Sequence, residues 1–374
     1  KYAKEHRNEL AIKNMLFFYF DLPAWVLKLK SKSGRRGYVV YYWFWQFYIV
    51  KRIKKLKLEF DIAHGLNFHS DSQPCFLWKL KVPTVWGPIG HHPRIPRSFL
   101  KELSTIDIIR DRLYYAVKWV LRNLDPFFRK AVKKTDQIIA INSTIAQTIK
   151  CDERKVSVLS AVGCNVPDYL SSEPNGTFNI LSIGRFVPMK GFDITIESFA
   201  KFLHDLPENQ RVSVSLTLIG KGPKKESLMR FGDELGVSEN IHWVDWVAKD
   251  EVAEFYKAAS LFVFPSHEGA GMVVPEAMSY GLPVICIDNA GPGELISKES
   301  GIQVSSASRA SVVKEIASGI MSMYCNLDLR NYKSIQAHAL AVNKFEWAEK
   351  SKKLKSIYND LQIKISFKTN QKRA

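Results

Sequence analysis

Two carboxylates and two cations occur in glycine-containing stretches where their spacing could do chemistry. "HEGAGMVVPEAMSYG" places Glu268 and Glu276 eight positions apart, with Gly269, Ala270, Gly271 and Met272 between them. "GRFVPMKG" places Arg185 and Lys190 five positions apart, after Gly184. A guanidinium fork and an ammonium leaving one loop can neutralise a diphosphate. Carboxylates accept hydrogen bonds from hydroxyls, as in a ribose diol. Glycines let a backbone approach a ligand closely, and free N–H groups at a helix start suit phosphate oxygens. Amides and cations for phosphate, with carboxylates for hydroxyls, describe a nucleotide-sugar site. The residues also admit a plain reading: Glu276 complements a helix dipole, while Glu268, Arg185 and Lys190 are solvated.

Such residues need elements that end where they begin. Short apolar runs precede the loops: "FNILSIGR" before Arg185, "VSLTLIGKG" through Gly220, and "SLFVFPS" before Glu268. "NIHWVDW" and "PVICIDN" read as further strands, as do "FDIAHG", "VPTVWGP", "DQIIAIN" and "KVSVLSA" in the first half. Helical patterns lie between, over 111–134, 194–206, 225–235, 250–259, 275–280 and 311–323. Strand–helix alternation predicts an α/β protein with parallel sheets. "NVPDYLSSEPNGTF" reads as a boundary. The expectation is two doubly wound, Rossmann-like domains facing a cleft, 1–168 and 169–345, with an amphipathic helix over 346–374 packing back on the first. Ligands in such sheets bind beyond the carboxyl ends of the strands.

Composition narrows the partners. Net charge is +17, and residues 1–174 carry 30 Lys+Arg against 15 Asp+Glu, whereas 175–374 carry 24 against 22. Such asymmetry suggests that this half faces a polyanion, either nucleic acid or an anionic membrane. That half mixes aromatics with cations in "YVVYYWFWQFYIVKRIKKLKLEF". Its apolar run over 38–50 is too short to span a bilayer. The pattern fits an interfacial surface with Trp25, Trp43 and Trp45 near lysines, on an anionic membrane; a buried helix with a solvated basic end gives the same aromatic pattern. No nucleic-acid-binding motif is present. Five scattered cysteines without CxxC spacing suggest free thiols in a reducing compartment. There is no Asp-x-Asp to hold a bridging metal. The expected place is the cytoplasm, peripheral on the inner face of the cell membrane.

Together, "GRFVPMKG", "LIGKGP" and "EGAGMVVPEAMSYGLPVI" resemble the retaining glycosyltransferases of family 4, which have the GT-B fold. The resemblance covers about residues 178–296, and "FDIAHGLNFHS" and "VPTVWGPIGHH" resemble members that build bacterial surface polysaccharides. Ala270 stands where many relatives carry an aromatic residue. The usual opening strand of the first domain is not visible, so that domain is expected to lack it.

The resemblance implies roles. Glu276 holds the ribose, and Arg185 and Lys190 stabilise the departing diphosphate. Glu268 holds donor-sugar hydroxyls, helped by the amides from Ala270 to Met272. Gly184, Gly220, Gly269 and Gly271 shape the donor site. A histidine approaches the donor sugar; His91 is the candidate, with His64 and His69 as alternatives. No metal and no cofactor are implied: the donor, UDP- or GDP-linked, is a substrate. The acceptor is a glycan, expected to be lipid-linked. A hydrolysing nucleotide-sugar epimerase of the same fold, or a basic polyanion-binding protein, are the competing readings.

Overall fold

The computed structural model describes residues 15–32, 34–66, 70–92, 94–96, 99, 105–167, 176–305 and 307–371. Two all-parallel sheets organise it. The first has order β1-β2-β3-β4, formed by Ala63–Gly65, Thr84–Ile89, Gln137–Ala140 and Val156–Val158. The second has order β10-β9-β8-β5-β6-β7. Its strands are β5 Phe178–Ile183, β6 Val214–Ile219, β7 Ile241–Val244, β8 Leu261–Phe264, β9 Val284–Ile287 and β10 Gly301–Val304. The nine strands read from sequence are all present. β10 was missed because "GIQV" is short and carries a glutamine.

The principal helices are α1 Ala24–Lys32, α2 Gly34–Leu56, α3 Thr105–Leu124, α4 Pro126–Lys134, α5 Ile145–Ile149, α6 Phe192–His204, α7 Lys225–Glu234, α8 Lys249–Lys257, α9 Val273–Ser279, α10 Pro292–Leu295, α11 Arg309–Cys325, α12 Leu327–Leu340 and α13 Trp347–Gln371. The helix expected over 111–134 is two. Asp125 accepts from the Phe127 N–H at 2.8 Å and Pro126 opens the next helix, so the chain is capped and restarted.

"LFVF" and "VICI" are buried at every position, as strands covered on both faces must be. One face of the second sheet packs on α6 and α11, the other on α9 and Phe345. In the first sheet the side-chain period of two splits neighbouring residues between faces. Trp86 and Ile138 pack with Phe128 from α4, whereas Val85 and Ile139 pack with Leu361 from α13. The last helix thus covers the first sheet. His64 accepts at Nδ1 from the Tyr358 hydroxyl, 2.6 Å away, and donates from Nε2 to the Gly87 carbonyl at 3.0 Å.

The aromatics of α2 divide. Trp43 and Phe47 meet Phe76 edge-on at 5.2 and 5.5 Å, while Val40, Phe44 and Tyr48 are exposed. The indole N–H groups of Trp43 and Trp45 donate to Asp125 and to the Phe20 carbonyl. Of the three expected membrane tryptophans, only Trp25 is largely exposed. Among the described residues no helix is long and apolar enough to cross a membrane.

A larger apolar surface lies on α3. Ile106, Ile109, Leu113, Val117, Val120 and Leu124 are all exposed. Their steps of three and four put them on one helical stripe, about 27 Å long at 1.5 Å per residue.

Candidate active site

Strand order in the second sheet reverses between β5 and β8: the chain runs outward through β6 and β7, then returns to the far side of β5. A crevice opens beyond the carboxyl ends at such a point. The two loops that flank it are those carrying Arg185 with Lys190, and Glu268.

The loops are stitched together. The His267 N–H and the Ser266 hydroxyl both donate to the Met189 carbonyl, at 2.9 and 3.2 Å. Gly191 has φ +71°, and a Cβ there would stand 2.5 Å from the Pro265 carbonyl oxygen, so only glycine lets the loops approach. Lys190 Nζ then donates to Glu268 Oε2 at 2.7 Å, with both side chains mostly buried. Lys190 also lies over the Phe264 ring at 5.0 Å. Burial pushes the Glu268 carboxyl upward, and Lys190 opposes that. Arg185 is exposed and has no hydrogen-bond or ion-pair partner among the described residues.

The helix bearing Glu276 begins at Val273, two residues before Pro275, which sits in the first turn where its missing N–H costs nothing. The Tyr256 hydroxyl, in the core, donates to Glu276 Oε2 at 3.3 Å. Tyr256 stacks on Tyr280 at 5.2 Å, fixing the hydroxyl that holds this half-buried carboxylate. Burial and the Glu276 charge push the Tyr256 phenol well up, so it remains a donor.

The backbone N–H groups of Ala270, Gly271 and Met272 have no acceptor among the described residues. That of Gly269 is used: it donates to His92 Nδ1 at 2.9 Å, which leaves the proton of a neutral ring on Nε2. Burial and nearby Lys118 keep His92 neutral by lowering its pKa.

The glycines were expected to admit a ligand, but two meet protein backbone. A Cβ on Gly269 would stand 1.8 Å from the His91 carbonyl oxygen, and one on Gly220 would stand 1.8 Å from that of Gly184. Gly269 is one of the places where the two domains touch. Gly220 is where the loop after β6 lies against the loop after β5. Gly184 makes only ordinary contacts, 3.6 Å to Phe192 and 3.7 Å to Lys190. At Gly271 the nearest atom is 3.4 Å away, and Met272 is exposed.

His91 Nδ1 sits 2.9 Å from Asp71 Oδ2. Asp71, fully buried, also takes Lys118 at 2.6 Å and Arg122 at 3.0 Å. Hydrogen bonds from His91 and Lys118 outweigh burial and hold its carboxyl down at about 2. His91 is thus an oriented imidazole at the domain junction, whereas His64 is used in clamping α13. His69 lies outside the described residues.

Asn142, which follows β3, escaped the sequence reading. Its side-chain N–H group faces three carbonyls: Ala290 at 2.7 Å, His91 at 3.0 Å and Gly269 at 3.3 Å. Ser143 donates through its N–H and hydroxyl to Glu294 at 2.9 and 2.6 Å. A Cβ on Gly291, next to Ala290, would stand 1.8 Å from the Glu268 carbonyl oxygen. The Glu268–Gly269 segment is therefore gripped between the loop after β2 and the loop after β9. Two small polar residues closing a buried strand were the available signal.

Residues 171–331 match the family Glycosyl transferases group 1. This group 1 stretch contains Arg185, Lys190, Glu268 and Glu276. The chain is 35% identical over 114 residues to a lipopolysaccharide core biosynthesis glycosyltransferase of Rhizobium meliloti, covering 30% of each. It is 26% identical over 239 residues to an uncharacterized glycosyltransferase of Methanocaldococcus jannaschii, covering 63% of this chain and 62% of that one. The first relatives are thus matched over 30–62% of their own length. Among solved structures, a glycosyltransferase from Rickettsia africae superposes with TM-score 0.61 at 17% identity, over 96% of this chain and 87% of that one. Anabaena HepE in complex with UDP gives 0.54 at 17%, over 75% and 73%. The two parallel-sheet domains are those of the GT-B fold.

Proposed function

We propose that the chain transfers a sugar from a nucleotide-sugar donor to a glycan acceptor with retention of configuration, as a family 4 enzyme without a metal. The observation that carries the reading is the Lys190–Glu268 pair at the point where strand order reverses, inside the group 1 stretch. In this reading the donor diphosphate takes Lys190 and Arg185, which stabilise the negative charge developing on it, usually the largest electrostatic contribution to such a step. Glu268, no longer bound to Lys190 alone, accepts from donor-sugar hydroxyls, and the amides of Ala270 to Met272 donate to the same ligand. Glu276, steadied by Tyr256, accepts from the ribose diol. His91, oriented by Asp71, faces the sugar from the first domain. The departing phosphate deprotonates the acceptor on the same face.

The acceptor in this reading is lipid-linked and belongs to cell-surface polysaccharide synthesis. The enzyme works peripherally on the cytoplasmic face of an anionic membrane, without nucleic acid as a partner. The apolar stripe on α3 and the excess of cations in residues 1–174 support the docking. Saturation-transfer NMR of the full chain against a panel of nucleotide sugars tests the donor. Enhancement on ribose and sugar protons of one UDP- or GDP-linked donor is expected; no enhancement from any of them refutes the reading. Free nucleoside diphosphate formed without transfer to any acceptor would favour the epimerase instead.

A further inference from the structure

A groove leads away from His91 across the first domain, and the reading above gives it no task. Its near part, about 640 Å³, is lined by His91, Arg94, Tyr115, Trp119, Arg122 and Lys150 among others. Its continuation, about 400 Å³, shares Arg122, Asn123 and Lys150 and adds Arg129, Lys133 and Lys155. Six cations thus line one continuous surface. Among the described residues the lining carboxylate is Asp152, and Arg154 already engages it at 2.7 Å.

The cations are little compensated. Arg129 and Lys133 have no carboxylate partner among the described residues; Arg94 lies 5.7 Å over the Tyr115 ring and within electrostatic reach of Asp111, outside the lining. Lys150 donates to the Asn123 side chain at 3.0 Å, and Lys155 to the Lys133 and Thr135 carbonyls. Arg122 is held by Asp71 beneath the floor. Lys150 also has φ +55°, a conformation that glycine or asparagine adopts more readily. The wall includes Trp119, 57% exposed. A ring beside a set of guanidinium and ammonium groups fits a ligand with an apolar sugar face and a phosphate.

We propose that this groove is the acceptor subsite and that the acceptor carries a phosphate or pyrophosphate, its sugar lying on Tyr115 and Trp119 and its charge on Arg122, Lys150, Arg129 and Lys133. The inference rests on the glycosyltransferase reading for the acceptor's role, and on the groove itself for the anion. His91 joins the two, because it lines the groove while its carbonyl packs on Gly269.

The test uses the full chain and three probes, α-D-glucose 1-phosphate, inorganic pyrophosphate and glucose. Each is titrated by calorimetry with UDP or GDP in excess, so that Arg185 and Lys190 are already engaged. Both anions should bind and glucose should not. Lys150→Asn, which suits the positive φ, and the double variant Arg129→Gln/Lys133→Gln should each weaken anion binding, by about fivefold per cation removed. Their melting temperatures and nucleotide affinities should stay unchanged. Equal binding of glucose and its phosphate, or undiminished anion binding by both variants, overturns the proposal. Vesicles of phosphatidylglycerol and phosphatidylcholine form a separate arm. A loss confined to the anionic vesicles, with sugar phosphate unaffected, would assign the cations to lipid headgroups and equally overturn it. Absence of nucleotide binding in the unaltered protein would defeat the donor reading alone, since the groove variants still report whether Lys150, Arg129 and Lys133 hold the anion.

Discussion

Gly269→Ala is a small perturbation with a calculable consequence. The backbone at 269 is not left-handed, so alanine is acceptable to the loop itself, and the whole effect comes from the added carbon. That carbon would stand 1.8 Å from the His91 carbonyl oxygen and 2.7 Å from the carbonyl carbon. Ordinary C···O approach is about 3.3 Å, so the loops after β2 and β8 must part by about 1.5 Å. Parting weakens the Gly269–His92 hydrogen bond at 2.9 Å and the Asn142–Gly269 bond at 3.3 Å. At about 0.5–1.5 kcal/mol each, domain docking loses about 1–3 kcal/mol. A misplacement of this size at reacting groups lowers turnover about 100-fold. Nucleotide affinity should change little, because Arg185, Lys190 and Glu276 all belong to the second domain. The assay pairs steady-state transfer with calorimetric titration of the nucleoside diphosphate. Full activity in the variant would refute the claim that the close contact at Gly269 is needed for transfer. Loss of nucleotide binding in parallel with activity would refute the claim that the second domain alone holds the nucleotide.

Other outcomes are equally specific. Glu276→Gln should abolish transfer with little change in melting temperature, since the side chain is only half-buried and Gln can still accept from Tyr256; a variant that unfolds or stays active contradicts its role. Arg185→Ala and Lys190→Ala should each cost about 2–4 kcal/mol in the chemical step, non-additively if they share a diphosphate, and EDTA should not inhibit; chelator inhibition reversed by magnesium would contradict the metal-free mechanism. Asp71 is held at about 2 against an ordinary 3.8, so its contribution is present above about pH 4 and is lost as pH falls towards 2, about 2 kcal/mol in all; acid melts of wild type and Asp71→Asn should converge over that window. Ile109→Glu and Leu113→Glu on α3 should release the protein from phosphatidylglycerol vesicles without changing its melting temperature, and undiminished co-sedimentation would remove the stripe from the docking surface.

The strands were legible because fully buried parallel strands need uninterrupted apolar runs, and "LFVF" and "VICI" leave little alternative. The loops after β5 and β8 were legible because charged residues flanked by glycine must follow those runs. What joins the loops was not. Nothing in local pattern tells that Gly269 meets His91, that Asn142 spans two domains, or that Tyr256 steadies Glu276, because each pairing depends on the packing of distant segments. The α3 stripe was obscured differently. Its apolar residues have the spacing of an ordinary core-facing helix, and only the packed structure shows that nothing described covers them. The aromatics of α2 suggested a surface, yet several of them belong to the core.

The clamp of α13 on the first sheet has a consequence for how the molecule can be taken apart. Val85 and Ile139 are buried against Leu361, so a fragment ending near residue 174 would leave that face bare. The chain leaves the first domain near Cys164 and returns beside it: the Cys164 N–H donates to the Phe345 carbonyl at 3.0 Å, and Cys164 bridges to Glu346. Exit and entry are neighbours, so the second domain is topologically a cassette inserted into its host. If the proposed roles hold, grafting a different cassette between these two junctions changes the donor and preserves the groove on the first domain, whereas cutting the chain at a single junction spoils both.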